Sequence, residues 1–144
     1  MSNVLKTTTK EIIVIIAIVV VFVLVFFIFY TEIIKRSKIE EAKNNFYIVK
    51  RELTIEVNKC KEKDNVWFFD IPCDQKLTKE IISDYINKTN KIKNPYDGSE
   101  AVQGTSGSVQ INIRENSLVM SVDIHANGGI DIEHTIFFLS IFER

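Results

Sequence analysis

Glycine and proline are scarce in this sequence, and neither occurs before Pro72. The whole chain of 144 residues holds 5 glycines and 2 prolines. Because these residues are the commonest interruptions of a helix, their absence leaves nothing in the first half of the chain that would end one. The sequence therefore predicts one continuous helix over residues 12–59, about 48 residues and roughly 70 Å long.

Cysteine is also rare, since Cys60 and Cys73 are the only two. They form no C-x-x-C motif, and no further cysteine or histidine stands at zinc-ligand spacing. These absences exclude a thioredoxin-like redox site and a structural zinc site. We expect a disulfide, which would place the domain in an oxidising compartment. Two unpaired thiols in the core are the alternative.

The sequence has no excess of basic residues. It contains 18 Lys and Arg against 19 Asp and Glu, and its net charge is −1. A protein that binds nucleic acid mainly through the phosphates needs a basic surface. We therefore expect no nucleic-acid partner.

Motifs of catalysis are missing as well. The segment Gly104–Ser108, GTSGS, lacks the lysine and the strand-to-helix context of a phosphate-binding loop. His125 and His134 have acidic neighbours, but these side chains alternate across strand faces and match no metal or nucleophile motif. The neighbours are Asp123, Asp131 and Glu133. We predict solvated strand faces, no enzyme activity, no metal and no cofactor.

What the sequence does contain is an unbroken run of 19 apolar residues, Ile12–Tyr30. As a helix this run covers about 28 Å, close to the thickness of the hydrocarbon core of a bilayer. No small-residue cleavage site follows it. The sequence therefore predicts a retained anchor, with residues 1–11 as a short leader, residues 12–30 as a transmembrane helix and membrane lipid as a partner.

The orientation of the anchor rests on opposing observations. Lys6 and Lys10 precede the span, whereas Lys35, Arg36 and Lys38 follow it, which argues against a cytoplasmic N-terminus. However, a leader this short commonly stays inside while a large domain is exported, and a disulfide needs an oxidising compartment. We expect a single pass through the inner membrane, with the C-terminal domain periplasmic or extracellular.

Residues 31–59 continue the helix with an amphipathic pattern. The apolar positions recur at steps of three and four residues: Ile39, Ala42, Phe46, Val49, Leu53 and Val57. Such a stripe is typical of a helix that packs under its own domain. We expect it to lie beneath the sheet of a small α+β head domain, residues 60–144.

The head domain begins with the segment between the two cysteines, which carries Trp67, Phe68 and Phe69. We expect these aromatic side chains to fill the small core, with an adhesive surface patch as the alternative. A short second helix follows, with Asp74 or Thr78 as its N-cap. Its apolar face is formed by Leu77, Ile81, Ile82, Tyr85 and Ile86.

After the turn-rich segment Asn94–Ser99 the apolar period changes to two, which predicts three antiparallel strands in a meander. The apolar positions are Val109, Ile111 and Ile113; Leu118, Met120, Val122 and Ile124; and Ile130, Ile132, Ile136 and Phe138. Because opposed residues must share a face, a three-residue loop Asn127–Gly129 is predicted to set Val122 opposite His134. The expected fold class is α+β.

A long N-terminal helix, half apolar and half amphipathic, followed by a small antiparallel sheet, resembles the architecture of the type IV pilin and type II secretion pseudopilin superfamily. Two segments carry the resemblance in sequence. Glu11–Val19, EIIVIIAIV, is similar to the family's Glu-Leu-Leu-Val-Val-Ile-Ala-Ile-Ile start, and Asn94–Gly98, NPYDG, is similar to the Asn-Pro-Tyr-x-Gly turn of many members. The resemblance implies a pilin-like fold whose subunits assemble through their N-terminal helices.

The resemblance also implies a role for Glu11. In the family this glutamate meets a cation at the N-terminus of its own or a neighbouring subunit and sets the register of the assembly. A carboxylate in a low dielectric is tolerated only with a partner cation. Lys6 stands where the family has its cleavage-site glycine, so we expect an unprocessed subunit in which Lys10 or Lys6 is the cation. The alternative is a carboxylate that simply lies in the headgroup layer beside Lys10.

These expectations lead to one predicted function and one alternative. The first is a membrane-anchored structural, minor or priming subunit of a type IV pilus or type II secretion pseudopilus, with copies of itself or related subunits as partners. The second is a single-pass envelope protein whose exported domain binds a ligand or partner and does not polymerise. Some pseudopilins bind calcium in a loop like the one that holds Asp97 and Glu100. Two carboxylates fall short of the roughly six to eight oxygen ligands that calcium takes, so we predict no metal there.

Overall fold

The computed structural model describes residues 8–61, 66–67, 71–73, 78–114 and 117–137. The chain divides between Ser37 and Lys38 into two compact units. Helix α1, Thr9–Lys61, runs without a break and contributes residues to both units. The prediction of one uninterrupted N-terminal helix is therefore confirmed.

The N-terminal unit consists, in its described part, of the apolar half of α1. Every large apolar side chain from Ile12 to Tyr30 is between 42% and 72% exposed, on all sides of the helix. A helix that is apolar all round is stable only when lipid or other protein covers it. By length and composition, α1 is a candidate for one membrane span.

The second half of α1 supplies one wall of the core of the C-terminal unit. The predicted stripe is confirmed, because its central residues are at most 2% exposed: Ala42, Phe46, Val49, Leu53 and Val57. Ile39 packs against the same cluster and is partly buried. The 3.6-residue period of the sequence thus places these side chains against the sheet and the second helix.

Helix α2, Lys79–Asn90, closes another side of the core with Ile82 and Ile86. The hydroxyl oxygen of Thr78 accepts a hydrogen bond from the amide of Ile81 at 3.4 Å, so Thr78 is the N-cap. The helix ends at Asn90, and the next residue, Lys91, adopts the left-handed conformation with φ of 51°. The other N-cap candidate, Asp74, and Leu77 of the predicted apolar face lie outside the described residues.

The sheet is a three-stranded antiparallel meander, as predicted. The strands that the structure describes are β1 Val66–Trp67, β2 Ile71–Pro72, β3 Val109–Arg114, β4 Ser117–Val122 and β5 Ile132–Phe137. Strands β3, β4 and β5 form the meander and follow each other in space as in sequence. Strands β1 and β2 form a separate, short antiparallel ribbon, which was not expected from the sequence. The fold class is therefore α+β.

The register of the second hairpin differs from the prediction by two residues. Val122 lies opposite Ile132, and His134 lies opposite Met120. The alternation is kept, so His134 still shares the inner row with Ile132 and Ile136, but the connection is longer than Asn127–Gly129. The reason is that the residues after Val122 are taken up by a loop organised around a side chain, Asp123, rather than by strand pairing.

The predicted aromatic filling of the core lies outside what the structure describes. Between the two cysteines, the structure describes Lys61, Val66, Trp67, Ile71 and Pro72, and of Lys61 and Trp67 it describes the backbone alone. Phe68, Phe69 and the side chain of Trp67 are not among the described groups. Their role remains a prediction.

Candidate assembly site

Glu11 occupies the first turn of α1 and bonds to the backbone there. Its Oε2 accepts a hydrogen bond from the amide of Thr8 at 2.7 Å. The carbonyl of Thr8 in turn accepts from the amide of Ile12 at 3.2 Å, which makes Thr8 the residue before the first full turn. The arrangement is one half of a capping box, in which a glutamate three positions into the helix satisfies an otherwise unpaired amide.

The predicted cations of Glu11 are not seen to contact it. Lys10 is exposed on the same turn, and among the described residues no ion pair joins it to Glu11. Lys6 lies outside the described residues. The side chain of Glu11 is exposed, and within the described part of the chain only its Oε2 accepts a hydrogen bond.

The far end of the apolar surface is marked by the first polar contacts after Tyr30. The hydroxyl of Thr31 donates to the carbonyl of Ile28 at 2.9 Å. Glu32 and Arg36 form an ion pair at 3.3 Å on successive turns. Both ends of the apolar surface therefore carry a glutamate, Glu11 and Glu32, and only the second is paired to a cation among the described residues.

Cys60 and Cys73 are joined in a disulfide with Cα atoms 5.7 Å apart, within the usual range for such bonds. Cys60 lies in the last turn of α1, and Cys73 directly follows β2. Cys73 is 8% exposed, and Cys60 packs against the core. The bond thus attaches the C-terminal end of α1 to the short ribbon.

Tyr96 contacts both the loop after β4 and the amphipathic half of α1. The hydroxyl of Tyr96 donates to the carbonyl of Ile124, and the ammonium of Lys38 lies 5.6 Å from the centre of the ring. Burial raises the pKa of Tyr96, and the charges of Asp123 and Asp131 raise it further. This residue therefore links α1, the NPYDG turn and the loop between β4 and β5.

The NPYDG turn forms as its residue types predict. The carbonyl of Asn94 accepts from the amide of Gly98 at 2.9 Å, and Gly98 has φ of +74°. The side-chain oxygen of Asn94 accepts from the amide of Tyr96 at 3.0 Å, and its Nδ2 donates to the carbonyl of Ser106 at the same distance. Asn94 is only 2% exposed, so its side-chain amide supplies hydrogen-bond partners to backbone groups where two loops meet.

Asn87 is a structural residue that no periodicity indicates. Its Oδ1 accepts from the amide of Val102 at 3.2 Å, and its Nδ2 donates to the carbonyl of the same residue at 3.2 Å. Asn45 plays a similar part on α1, since its Nδ2 donates to the carbonyl of Lys93 at 2.8 Å. Both amides attach the loop after α2 to a helix. Side chains that bond to distant backbone leave no pattern in the sequence.

The two acidic residues considered for calcium are used for other contacts. Asp97 accepts hydrogen bonds from the Ser99 hydroxyl, the Thr105 hydroxyl and the Ser99 amide, which lower the pKa of its carboxyl to about 2. Glu100 accepts from Nδ2 of Asn87 at 3.3 Å. In the part of the chain that the structure describes, no group of three or more metal-ligating side chains comes together.

The two histidines lie in different surroundings. Nδ1 of His125 is 3.0 Å from Oδ2 of Asp131 in the loop between β4 and β5. In the same loop, burial raises the pKa of Asp123, but hydrogen bonds from the amides of Gly128 and its neighbours and from Ser106 outweigh it and lower that pKa. These contacts order a loop. His134 instead lies on the inner row of β5, where burial and then the charge of Lys50 lower its pKa.

The depressed pKa of His134 makes the stability of the head depend on pH. The unfolded chain binds a proton more readily than the folded one, so the stabilisation is complete above the unfolded pKa of about 6.5 and is lost as pH falls below it. We expect chemical denaturation of the detergent-solubilised chain to require less urea as the pH drops from 7.5 to 5. His134→Gln should reduce this dependence, whereas the matched variant His125→Gln should keep it. Loss of the dependence in His125→Gln alone would contradict the assignment.

Gly107 is required by the ring of Tyr96. It has φ of +91°, and a Cβ atom there would lie 2.5 Å from Cδ2 of the ring. We expect Gly107→Ala to lower the free energy of unfolding by about 2–3 kcal/mol, from backbone strain together with displacement of the ring. Gly98→Ala is the matched control, because Gly98 has φ of +74° and no atom within 4 Å of its Cβ position. Equal losses in the two variants, measured by urea denaturation, would show that the ring contact contributes nothing.

Comparison with known proteins identifies no relative of this chain. No family model matches the chain, and neither a curated protein nor a solved structure matches it.

Proposed function

We propose that this protein is a membrane-anchored, pilin-like subunit that assembles through the apolar half of α1. The observation that carries the proposal is the continuity of α1. One unbroken helix presents an apolar surface exposed on all sides and, further along, supplies the central wall of the head's core. A helix needed only as an anchor could end at the membrane, and a helix needed only as a core element would not expose such a surface.

The proposal places the apolar half of α1 in the inner membrane and the head outside it. The disulfide between Cys60 and Cys73 supports this orientation, because such bonds persist in oxidising compartments. In lipid, the apolar surface of one copy meets either acyl chains or the α1 of another subunit. The type of assembly, a type IV pilus or a type II secretion pseudopilus, is proposed from the resemblance of Glu11–Val19 and Asn94–Gly98.

Glu11 is proposed to set the register between subunits. Its bond to the amide of Thr8 occupies one carboxylate oxygen, and the other oxygen can accept a cation from a neighbouring copy. A charge left unpaired in low dielectric costs about 3–5 kcal/mol, so the pair would select one alignment of two helices. Lys10 or Lys6 of the neighbour is the proposed cation.

Two substitutions at Glu11 separate its charge from its hydrogen bond. Glu11→Gln keeps an oxygen that can cap the amide of Thr8 but removes the charge, whereas Glu11→Ala removes both. We expect both variants to lose more than about tenfold of their incorporation into high-mass assemblies, because the unpaired cation costs several kcal/mol. The measurement is chemical crosslinking of native membranes followed by separation by mass. Glu32→Gln, at the opposite end of the apolar surface, is the matched control and should assemble normally.

A second candidate function is favoured by one observation. The bond between Glu11 and the amide of Thr8 explains the glutamate as a helix cap without any partner. This agrees with a single-pass envelope protein whose exported head binds a ligand or partner and does not polymerise. Under that reading Glu11→Gln behaves like the wild type, Glu11→Ala only loosens the first turn of α1, and no high-mass assemblies form at all.

A further inference from the structure

The chain contains a single Asn-Gly pair, Asn127–Gly128, in the loop between β4 and β5. Asparagine is a thermally labile residue. Its side chain is lost when the amide nitrogen of the next residue attacks the side-chain carbonyl carbon, Cγ, and a glycine leaves that nitrogen unhindered. Both residues are exposed, and apart from its chain neighbours no described atom lies within 4 Å of a Cβ position at Gly128. Steric hindrance therefore does not prevent the attack.

The reaction is a deamidation, and its only co-reactant is water. The Gly128 nitrogen loses its proton and forms a bond to Cγ of Asn127, the bond from Cγ to Nδ2 breaks, and the departing nitrogen takes up protons and leaves as ammonia. Water then opens the cyclic succinimide. Opening at Cγ gives an aspartate at position 127, whereas opening at the main-chain carbonyl gives an isoaspartate, whose main chain runs through the former side chain.

Asp123 holds the attacking group in the folded head. Its Oδ2 accepts hydrogen bonds from the Gly128 amide and from the Ser106 hydroxyl, the latter at 3.0 Å. Hydrogen bonds lower the pKa of Asp123, so its half-buried carboxyl is charged at neutral pH. The Gly128 nitrogen must lose its proton to attack, and the anion so formed would lie against this charge. Like charges in contact repel, so the closed loop opposes the attack.

The attacked group is held as well. Oδ1 of Asn127 accepts a hydrogen bond from the amide of Gly129 at 3.0 Å. This bond fixes the side chain together with the peptide that follows it, and ring closure has to rotate both. The contacts of Asp123 and of Asn127 must therefore be broken before Cγ and the Gly128 nitrogen can meet.

We propose that Asn127 is the deamidation site of this protein and that Asp123 controls it, blocking the reaction while the loop is closed. Opening of the loop frees the Gly128 amide, and the succinimide forms. An isoaspartate lengthens the main chain by a carbon atom, which displaces the Gly128 amide from Asp123 and makes a transient opening permanent. The modification marks heads whose loop has been open. It concerns the head alone and does not depend on assembly through α1.

The single Asp-Gly pair of the chain, Asp97–Gly98, is an internal comparison. An aspartate forms the same succinimide, but an ionised carboxylate resists the attack because it is a poor electrophile. Hydrogen bonds from Ser99 and Thr105 lower the pKa of Asp97 to about 2, so this carboxyl is ionised at neutral pH. We expect Asp97 to remain unmodified under conditions in which Asn127 reacts.

Ageing of the purified full-length chain in detergent at neutral pH tests the inference, with mass spectrometry of the peptide that holds Asn127 as the readout. The folded wild type should react at least about tenfold more slowly than the same chain unfolded in urea, because a hydrogen bond to a charged group must first break. Asp123→Asn keeps an oxygen for the Gly128 amide but removes the charge, and Asp123→Ala removes both. The rate should rise from the wild type to Asp123→Asn and again to Asp123→Ala.

Asp131→Asn is the matched control, because Oδ2 of Asp131 accepts from the amide of His125 at 3.2 Å and not from that of Gly128. It should react like the wild type, and a rate as high as that of Asp123→Asn would overturn the role of Asp123. A slower reaction in Asp123→Asn than in the wild type would show that the carboxylate assists the attack, which also overturns it. Equal rates in the folded and unfolded wild type, or earlier modification of another asparagine, would overturn the inference as a whole. If Asp123→Ala does not fold, the comparison of Asp123→Asn with Asp131→Asn decides.

Discussion

Phe46→Ala is expected to lower the free energy of unfolding of the head by about 3–5 kcal/mol. Phe46 lies on α1 in the middle of the core and is 1% exposed. Removing its ring takes apolar area out of the core and leaves a cavity that the rigid helix and sheet can only partly close. A domain of this size has a total stability of about 5–15 kcal/mol, so the variant should be close to unfolding.

The neighbouring position supplies the control. The ring of Tyr47 touches that of Phe46 edge to face with centroids 5.9 Å apart, but it is 57% exposed. Tyr47→Ala should cost less than about 1 kcal/mol, as expected for a surface substitution with one ring contact. Urea denaturation of the full chain in detergent, followed by the fluorescence of the single tryptophan, measures both variants. A loss in Phe46→Ala no larger than in Tyr47→Ala would contradict the described core.

Loss of the disulfide is expected to have the second largest effect. Replacing Cys60 and Cys73 by serine releases a short loop and should cost about 3 kcal/mol by the chain-entropy account. The bond also connects the end of α1 to β2, and the ribbon that β2 forms has strands of only 2 residues. Such a ribbon has little stability of its own. We therefore expect the ribbon to lose its protection against proteolysis along with the global loss.

Treatment of the wild type with a reductant is the matched experiment, because it breaks the bond without changing the sequence. Both forms should unfold at the same lower urea concentration. The intact mass of protein extracted from native membranes under non-reducing conditions tells whether the bond exists in the cell. Alkylation of both cysteines before any reduction would contradict an oxidising location for the head.

The helices and the sheet could be predicted because burial repeats with the period of the backbone. The stripe Ile39–Val57 follows the 3.6-residue turn of a helix, and the alternation around Val109–Val122 follows the two-residue repeat of a strand. The sequence offered Asp74 and Thr78 as N-caps of α2, and the pattern alone could not decide at which residue the helix begins. Periodicity sets the faces of an element more firmly than its ends.

The register of β4 against β5 could not be predicted, because it depends on one side chain. Periodicity required only that even-numbered residues face each other, and this holds in the structure. The position along the strand was set by Asp123, whose carboxylate accepts bonds from the amides of His125 and Gly128. An aspartate that organises a loop ends the ladder at Val122 and shifts the pairing by two residues.

In the candidate site, too, some features could be predicted from the sequence and others could not. The apolar surface of α1 and the pairing of Cys60 with Cys73 follow from composition and count. The clamp of Asn87 on Val102 does not, because a side chain that bonds to backbone 15 positions away leaves no local pattern. The bond of Glu11 to Thr8 could have been found from the spacing of the two residues, since a threonine followed three positions later by a glutamate is the pattern of a capping box.

A photoreactive residue at Ile18 tests the central claim most directly. Ile18 lies in the apolar half of α1 and is 51% exposed. In native membranes, the account predicts that illumination joins it to lipid and to residues 12–30 of a second copy, giving a product of twice the mass of one chain. Crosslinks to the chain's own head, or recovery of the protein from the soluble fraction without crosslinks to lipid or to another copy, would contradict the account.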